Sequence, residues 1–204
     1  MSAMSTEQAF RVAFWVLLGL VLLMRGYFSL RVRQANERLM PDRAAIEREG
    51  RGMFAGRVVG FFLLVAWLVL YGINPPWMQA LALPLPGWLR WAGFALGLAS
   101  LGLWTWTQWA LGTAWSAQLQ TRQEHRLVTS GPYSRVRHPL YTAMFGWAAS
   151  LALVTANWVF VGLAVVTIAA LVVRVPREEH MMIEQFGDQY LEYVKKTGRF
   201  FPKP

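Results

Sequence analysis

Arg174 and Glu178 stand four residues apart around Pro176, and Arg137, His138 and Tyr141 crowd the start of a long apolar run. A guanidinium, a carboxylate, an imidazole and a phenol are groups that hold small charged molecules. A carboxylate takes an ammonium or another cation, and a guanidinium takes an anion, bidentately when the anion is planar. Brought to one place, the set could bind a zwitterion through Glu178 and an anionic group through Arg174. Each residue also has a plainer role. Arg135, Arg137, Arg174 and Arg177 suit anchors at a membrane edge, and Glu178 and Glu179 suit a helix start. His138 before Pro139 suits a residue beginning a helix, and Tyr133, Tyr141 and Tyr190 suit an interfacial belt. Convergence at one depth is what raises the functional reading above these.

That convergence depends on the apolar segments. The chain has 204 residues, 55% of them hydrophobic and 15% charged, with 11 Trp and no Cys, the composition of an integral membrane protein. Crossing a hydrocarbon core of about 30 Å takes about 20 residues of helix. Runs of this kind cover Ala13–Leu30, Met53–Ile73, Trp91–Leu111 and Pro139–Val173. The last is long enough to turn back on itself, and Thr155-Ala156-Asn157-Trp158 interrupts it near the middle. It reads as a tight helical hairpin, which makes five spans and places Arg137, His138 and Tyr141 at the same depth as Arg174 and Glu178. The first run has no small-residue cleavage site after it and reads as an uncleaved span.

The formal charge of +9 follows the spans. Basic residues gather between the first and second (Arg31 to Arg57), between the third and fourth (Arg122 to Arg137), and after the fifth (Arg174 to Lys203). The connections Asn74–Gly87 and Thr155–Asn157 have none. Alternation of this kind orients the N-terminus outside and the C-terminus in the cytoplasm, and it accounts for the charge without nucleic acid. Gly52, Gly56 and Gly60 entering the second span, and Gly93 and Gly97 in the third, have the spacing of close helix contacts. Arg90, among Trp77, Trp88 and Trp91 on the outer side, is expected to snorkel. Residues 1–111 form a scaffold of three spans, and 112–204 form the catalytic region. Pro176 suits the start of an amphipathic cytoplasmic helix, with Met182, Phe186, Tyr190 and Tyr193 at helical spacing.

Some chemistries are excluded. His125, His138 and His180 form no HxxH or HxxxH pair, so no metal site is expected. No GxGxxG follows a strand and no GxSxG occurs, and without Cys there is neither disulfide nor thiolate chemistry.

The stretch AWSAQLQTRQEHRLVTSGPYSRVRHPLY, the hydrophobic hairpin, and then RVPREEHMMIEQFGDQYLEYVKKTGRFFP resemble the isoprenylcysteine carboxyl methyltransferase family over Gly112–Pro202. The resemblance implies an all-α integral membrane enzyme of about five transmembrane helices. It would transfer the methyl of S-adenosyl-L-methionine, leaving S-adenosyl-L-homocysteine, to the carboxylate of a prenylated cysteine or similar lipophilic acceptor. It also implies cofactor contacts from Gln118, His125, Arg126, Leu127, Val128, Tyr133, His138, Pro139, Leu140, Tyr141 and Glu178. Arg174 would hold the substrate carboxylate, and Arg174, Glu178 and Glu179 would be the catalytic set. Ala143 departs from the Gly that many relatives have, a change expected to tighten packing. The expected partners are the lipid bilayer and the acceptor, with no metal and no nucleic acid. Three alternatives stand beside this: a phospholipid amine N-methyltransferase, a membrane sterol reductase using NADPH, and a non-enzymatic lipid-binding scaffold.

Overall fold

The computed structural model of the chain describes residues 3–34, 59, 62, 65–111 and 127–203. Helix α1 (Ala3–Gln34) is followed by α2 (residues 65–73), a short 3-10 turn at Pro76–Leu81, and α3 (Gly87–Leu111). A second 3-10 turn, Gly131–Ser134, leads to α4 (Pro139–Thr155), α5 (Trp158–Phe186) and α6 (Asp188–Lys196). Among the described residues the architecture is all-helical, and extended backbone pairs only as two isolated bridges, Ala82 with Asn157 and Val136 with Gly198. Two of the described helices, α1 over Thr6–Arg31 and α5, are long and apolar enough to cross a membrane, and α4 is a shorter apolar helix. The expected third span lies within α3. The second is described from residue 65 onward, with Val59 and Phe62, and its glycines 52, 56 and 60 lie outside the described residues.

The hairpin is where the interrupted apolar run places it. Ala156 turns the chain with φ of 45°, and the Asn157 side chain accepts from the Val159 amide at 3.0 Å. An Asn at this position satisfies one of the donors that a helix start leaves over. The turn is pinned from the neighbouring loop, where the Leu83 amide donates to the Ala156 carbonyl at 2.6 Å.

Packing between α3 and α4 is the most extensive in the bundle. Its seam is built of small residues. A Cβ on Gly93 would lie 2.5 Å from Leu153 Cβ, one on Gly97 would collide with Ser150 Oγ, and one on Gly146 would collide with Ser100 Oγ. In hydrocarbon, such close approach supplies the dispersion contacts that burial from water supplies elsewhere. Ala143 is also buried in α4, with 1% of its surface exposed. Phe14 of α1, Tyr71 of α2 and Phe160 of α5 meet as a ring cluster with centroids 4.6, 5.2 and 5.5 Å apart. Edge-on and tilted contacts of this kind suit the aromatic quadrupole.

Two expectations are corrected. Arg90 does not snorkel: it is buried, and its guanidinium bonds Glu7 at 2.6 Å and the Val154 carbonyl at 2.9 and 3.1 Å. It also lies 3.9 Å from the Phe10 ring centroid. An unsatisfied helix-end carbonyl and a carboxylate within reach outweigh hydration of the cation. The amphipathic helix does not begin at Pro176 either, because α5 continues through that proline to Phe186. Proline removes one helical hydrogen bond without forcing an end, and helices in membranes tolerate the loss. The break falls at Gly187 (φ 51°, ψ −129°), a conformation suited to glycine, whose carbonyl accepts from the Tyr190 and Leu191 amides. The amphipathic element is therefore α6, with Asp188 in its first turn and Lys195 and Lys196 in its last.

Gly93→Ala is expected to destabilise the protein by about 1–3 kcal/mol, the range for forcing an extra methyl into a filled seam. Thermal unfolding in detergent measures it, and Gly102→Ala, where an added Cβ meets nothing within 4 Å, is the control.

Candidate functional site

The site forms where α4 begins and α5, having returned from the hairpin turn, passes it at residues 174–179. His138 precedes α4 and Pro139 opens it, a position where the missing amide costs nothing. Just before, residues 135–138 run beside 198–199. The Gly198 amide donates to the Arg135 carbonyl, the Arg137 amide to Gly198 and the His138 amide to Arg199, at 3.1, 2.8 and 3.0 Å. The His138 ring stacks on Tyr141 one turn later, with centroids 5.5 Å apart and planes within 12°.

Two consecutive glutamates on α5 divide the cations between them. Oε1 of Glu178 accepts from the Tyr141 hydroxyl and from Arg174 Nε, each at 2.6 Å. Its other oxygen is 3.9 Å from His138 Nδ1. Glu179 is buried and has both oxygens engaged. Arg137 Nε donates to Oε1 at 2.9 Å, and Arg199 reaches Oε2 at 2.6 Å and Oε1 at 3.3 Å. Arg137 Nη1 also donates to the Thr197 carbonyl and, at 3.3 Å, to that of Val194. Buried ion pairs of this kind need the extra hydrogen bonds that satisfy the remaining protons. His138 Nε2 lies 3.4 Å from Glu179 Oε1 without an aligned hydrogen bond, and it is buried. Burial, working against the attraction of Glu179 and Glu178, holds the His138 pKa below its usual value, so the ring is neutral near pH 7.

The structure thus gathers Tyr141, Arg174 and Glu178 in direct contact, with His138 beside them. Tyr133 sits in the 3-10 turn, its carbonyl accepting from the Tyr193 hydroxyl at 2.6 Å. Burial first, then the nearby Tyr193 and Glu178, pushes its phenol up. Pro139 is buried and Leu140 half-buried against the core, while Leu127 and Val128 are half-buried ahead of the turn. Gln118, His125 and Arg126 lie outside the described residues. Among the described residues no three His, Asp or Glu side chains gather in a way that could hold a metal ion. Arg174 and Glu178, expected to serve two different ligand groups, are an ion pair with each other. Glu179, the third residue of the expected catalytic set, is engaged by Arg137 and Arg199. Sequence reasoning missed Arg199, which read as one more anchoring cation. The available signal was Glu179 itself, a second carboxylate beside Glu178 that needs cations of its own.

The Isoprenylcysteine carboxyl methyltransferase (ICMT) family matches residues 94–184. The matched region is similar to that family. It runs from α3 into α5 and holds His138, Tyr141, Arg174, Glu178 and Glu179, but stops short of α6 and Arg199. The chain is 32% identical over 86 residues to protein-S-isoprenylcysteine O-methyltransferase B of Arabidopsis thaliana, covering 42% of this chain and 44% of that one. It is 31% identical over 120 residues to the cobalt-zinc-cadmium resistance protein CzcN of Cupriavidus metallidurans, covering 57% and 56%. The fold matches the solved eukaryotic intramembrane Ras methyltransferase ICMT, with TM-score 0.54 and 25% identity over 70% of this chain and 51% of that one. The chain spans about half the length of these relatives.

In the unfolded chain His138 takes its proton near pH 6.5, and in the folded protein only at lower pH, so acid favours unfolding. Stability attributable to this ring should be present above about pH 6.5 and be lost as pH falls toward the depressed folded value. Unfolding midpoints measured from about pH 8 down to about pH 5 test this, and His138→Gln should flatten the fall. A wild-type midpoint that rises as pH drops through that window would contradict the sign.

Proposed function

We propose that the protein is an S-adenosyl-L-methionine-dependent methyltransferase of lipophilic carboxylates, with the carboxylate of a prenylated cysteine or an analogue as acceptor. The observation that carries this reading is Glu178. It is a half-buried carboxylate at the mouth between α4 and α5, within the family-matched region, with one oxygen bound by Tyr141 and Arg174 and the other facing His138. The donor set fits the cofactor, which presents an ammonium, a carboxylate and a cationic sulfonium. Glu178 suits the ammonium, with His138 and Tyr141 forming the adjoining wall. Tyr133, Leu127, Val128, Pro139 and Leu140, with Gln118, His125 and Arg126, are assigned to the same end by family resemblance. When bound, the cofactor supplies an electrophilic methyl group.

The chain's own residues do the positioning. A carboxylate acceptor is already a nucleophile and needs no strong general base, so alignment is the main contribution to rate. Arg174 is half exposed beside the exposed apolar side chains of Val172 and Val173. It suits an acceptor whose lipid part stays in hydrocarbon while its carboxylate meets the guanidinium. Glu179 acts on position rather than on the ligand. With five spans and the basic segments inside, this mouth faces the cytoplasm.

Calorimetric titration of the detergent-purified protein with S-adenosyl-L-homocysteine should give saturable binding, and NADPH should give none. Glu178→Gln should weaken binding by about ten- to a hundredfold, the value of a hydrogen bond to a charged group. Arg174→Ala should abolish methyl transfer to a prenylated cysteine analogue and, because it also strips Glu178 of a partner, weaken cofactor binding a few-fold. Normal transfer by Arg174→Ala would remove that residue from the mechanism. Saturable NADPH binding in place of S-adenosyl-L-homocysteine would overturn the methyltransferase reading.

A further inference from the structure

Arg199 touches neither Glu178 nor Tyr141, yet three elements of the site meet through it. Its guanidinium holds Glu179, with Nη2 2.6 Å from Oε2 and Nε 3.3 Å from Oε1. Its carbonyl accepts the His138 amide at 3.0 Å. The next residue, Phe200, places its ring 6.1 Å from that of His138 and accepts the Thr142 hydroxyl at 2.6 Å. Gly198 makes the approach possible, since a Cβ there would collide with the Phe201 carbonyl.

The division of labour on Glu179 decides what Arg199 does. Arg137 reaches only Oε1, so among the described residues the cation on Oε2 is Arg199. Without it, that oxygen of a buried carboxylate loses its donor, and the imidazole 3.4 Å from the other oxygen is a group toward which the carboxylate can turn. Turning Glu179 toward His138 would drag the ring off its stack with Tyr141 and away from Glu178. Glu178 and Glu179 are successive residues of one helix, so a shift of one backbone carries the other. Arg199 follows the family-matched residues 94–184, so the family match assigns it no role.

We infer that Arg199 is a positioning residue: by holding Glu179 against Arg137 it keeps His138 and Glu178 in the arrangement that receives the ligand. The inference rests on the reading of Glu178 as a cofactor-binding carboxylate.

The test is a set of variants in the full chain, titrated with S-adenosyl-L-homocysteine well below each unfolding midpoint and assayed for methyl transfer. Arg199→Ala should weaken binding and slow transfer by about ten- to a hundredfold, the scale on which small misplacements act. Arg199→Lys, which keeps a cation for Oε2 but loses the second contact to Oε1, should bind more tightly than Arg199→Ala and more weakly than wild type. It keeps the test open if the alanine variant fails to fold, since wild-type affinity in it and in Glu179→Gln would overturn the role. If Arg199 acts through Glu179, Glu179→Gln combined with Arg199→Ala should bind no more weakly than the worse single variant. Lys203→Ala removes a different anchor of the same segment, its bonds to the Val194 and Lys195 carbonyls, and should leave affinity unchanged. Wild-type affinity in folded Arg199→Ala, or fully additive effects in the double variant, would overturn the role of Arg199 alone. Absence of binding by folded wild-type protein would overturn the cofactor reading beneath it.

Discussion

One carboxylate with two guanidiniums on its two oxygens organises the end of the bundle where the candidate site lies. Glu179 is buried, and a buried charge is tolerated only when paired and hydrogen-bonded. Arg137 and Arg199 supply both, and each brings a separate piece of chain: the segment that starts α4, and the segment that follows α6. The backbone pairing of 135–138 with 198–199, the placement of His138 ahead of α4 and its stacking on Tyr141 all depend on these pieces lying side by side. Remove the carboxylate and the buried guanidinium of Arg137 loses its counter-charge.

The opposite end of the bundle repeats the device with the signs exchanged. There a single buried guanidinium, Arg90, ties α1 through Glu7 and the end of α4 through the Val154 carbonyl. Between the two ends the helices are joined mainly by shape, through the small-residue seam of α3 and α4 and the ring cluster of Phe14, Tyr71 and Phe160, with the Thr105 hydroxyl reaching Met24 Sδ at 3.2 Å. Non-directional packing would let apolar helices slide, whereas charge-assisted hydrogen bonds at both ends fix their axial register.

The sequence was most readable where local rules decide the outcome. The hairpin at Thr155–Trp158 was legible because this stretch interrupts an apolar run too long for one span; the left-handed turn at Ala156 was not, since alanine has no preference for that conformation. The meeting of His138, Tyr141, Arg174 and Glu178 followed from that hairpin, since antiparallel helices joined by a short turn place their far ends at one depth. Arg90 and Arg199 were misread because the partner of each is remote in sequence: Glu7 lies 83 residues before Arg90, and Glu179 lies 20 before Arg199. No periodicity encodes such pairs. Pro176 misled for a different reason. Proline marks a helix start by preference, but within a helix it costs only what its neighbours cannot absorb, and α5 absorbs it.

The adjacency of Glu178 and Glu179 has a mechanical consequence. Successive residues of an α-helix point about 100° apart around its axis, so two neighbouring side chains fastened to different walls leave the rod no rotation that eases both. Helix α5 is unbroken from Trp158 to Phe186, and whatever angle is fixed at 178–179 is transmitted along its whole length. The surface that carries Val165, Val166, Val172 and Val173, all exposed, is therefore aimed by contacts made at the helix's far end. A handful of polar residues thereby chooses which greasy flank of the helix the bundle turns outward.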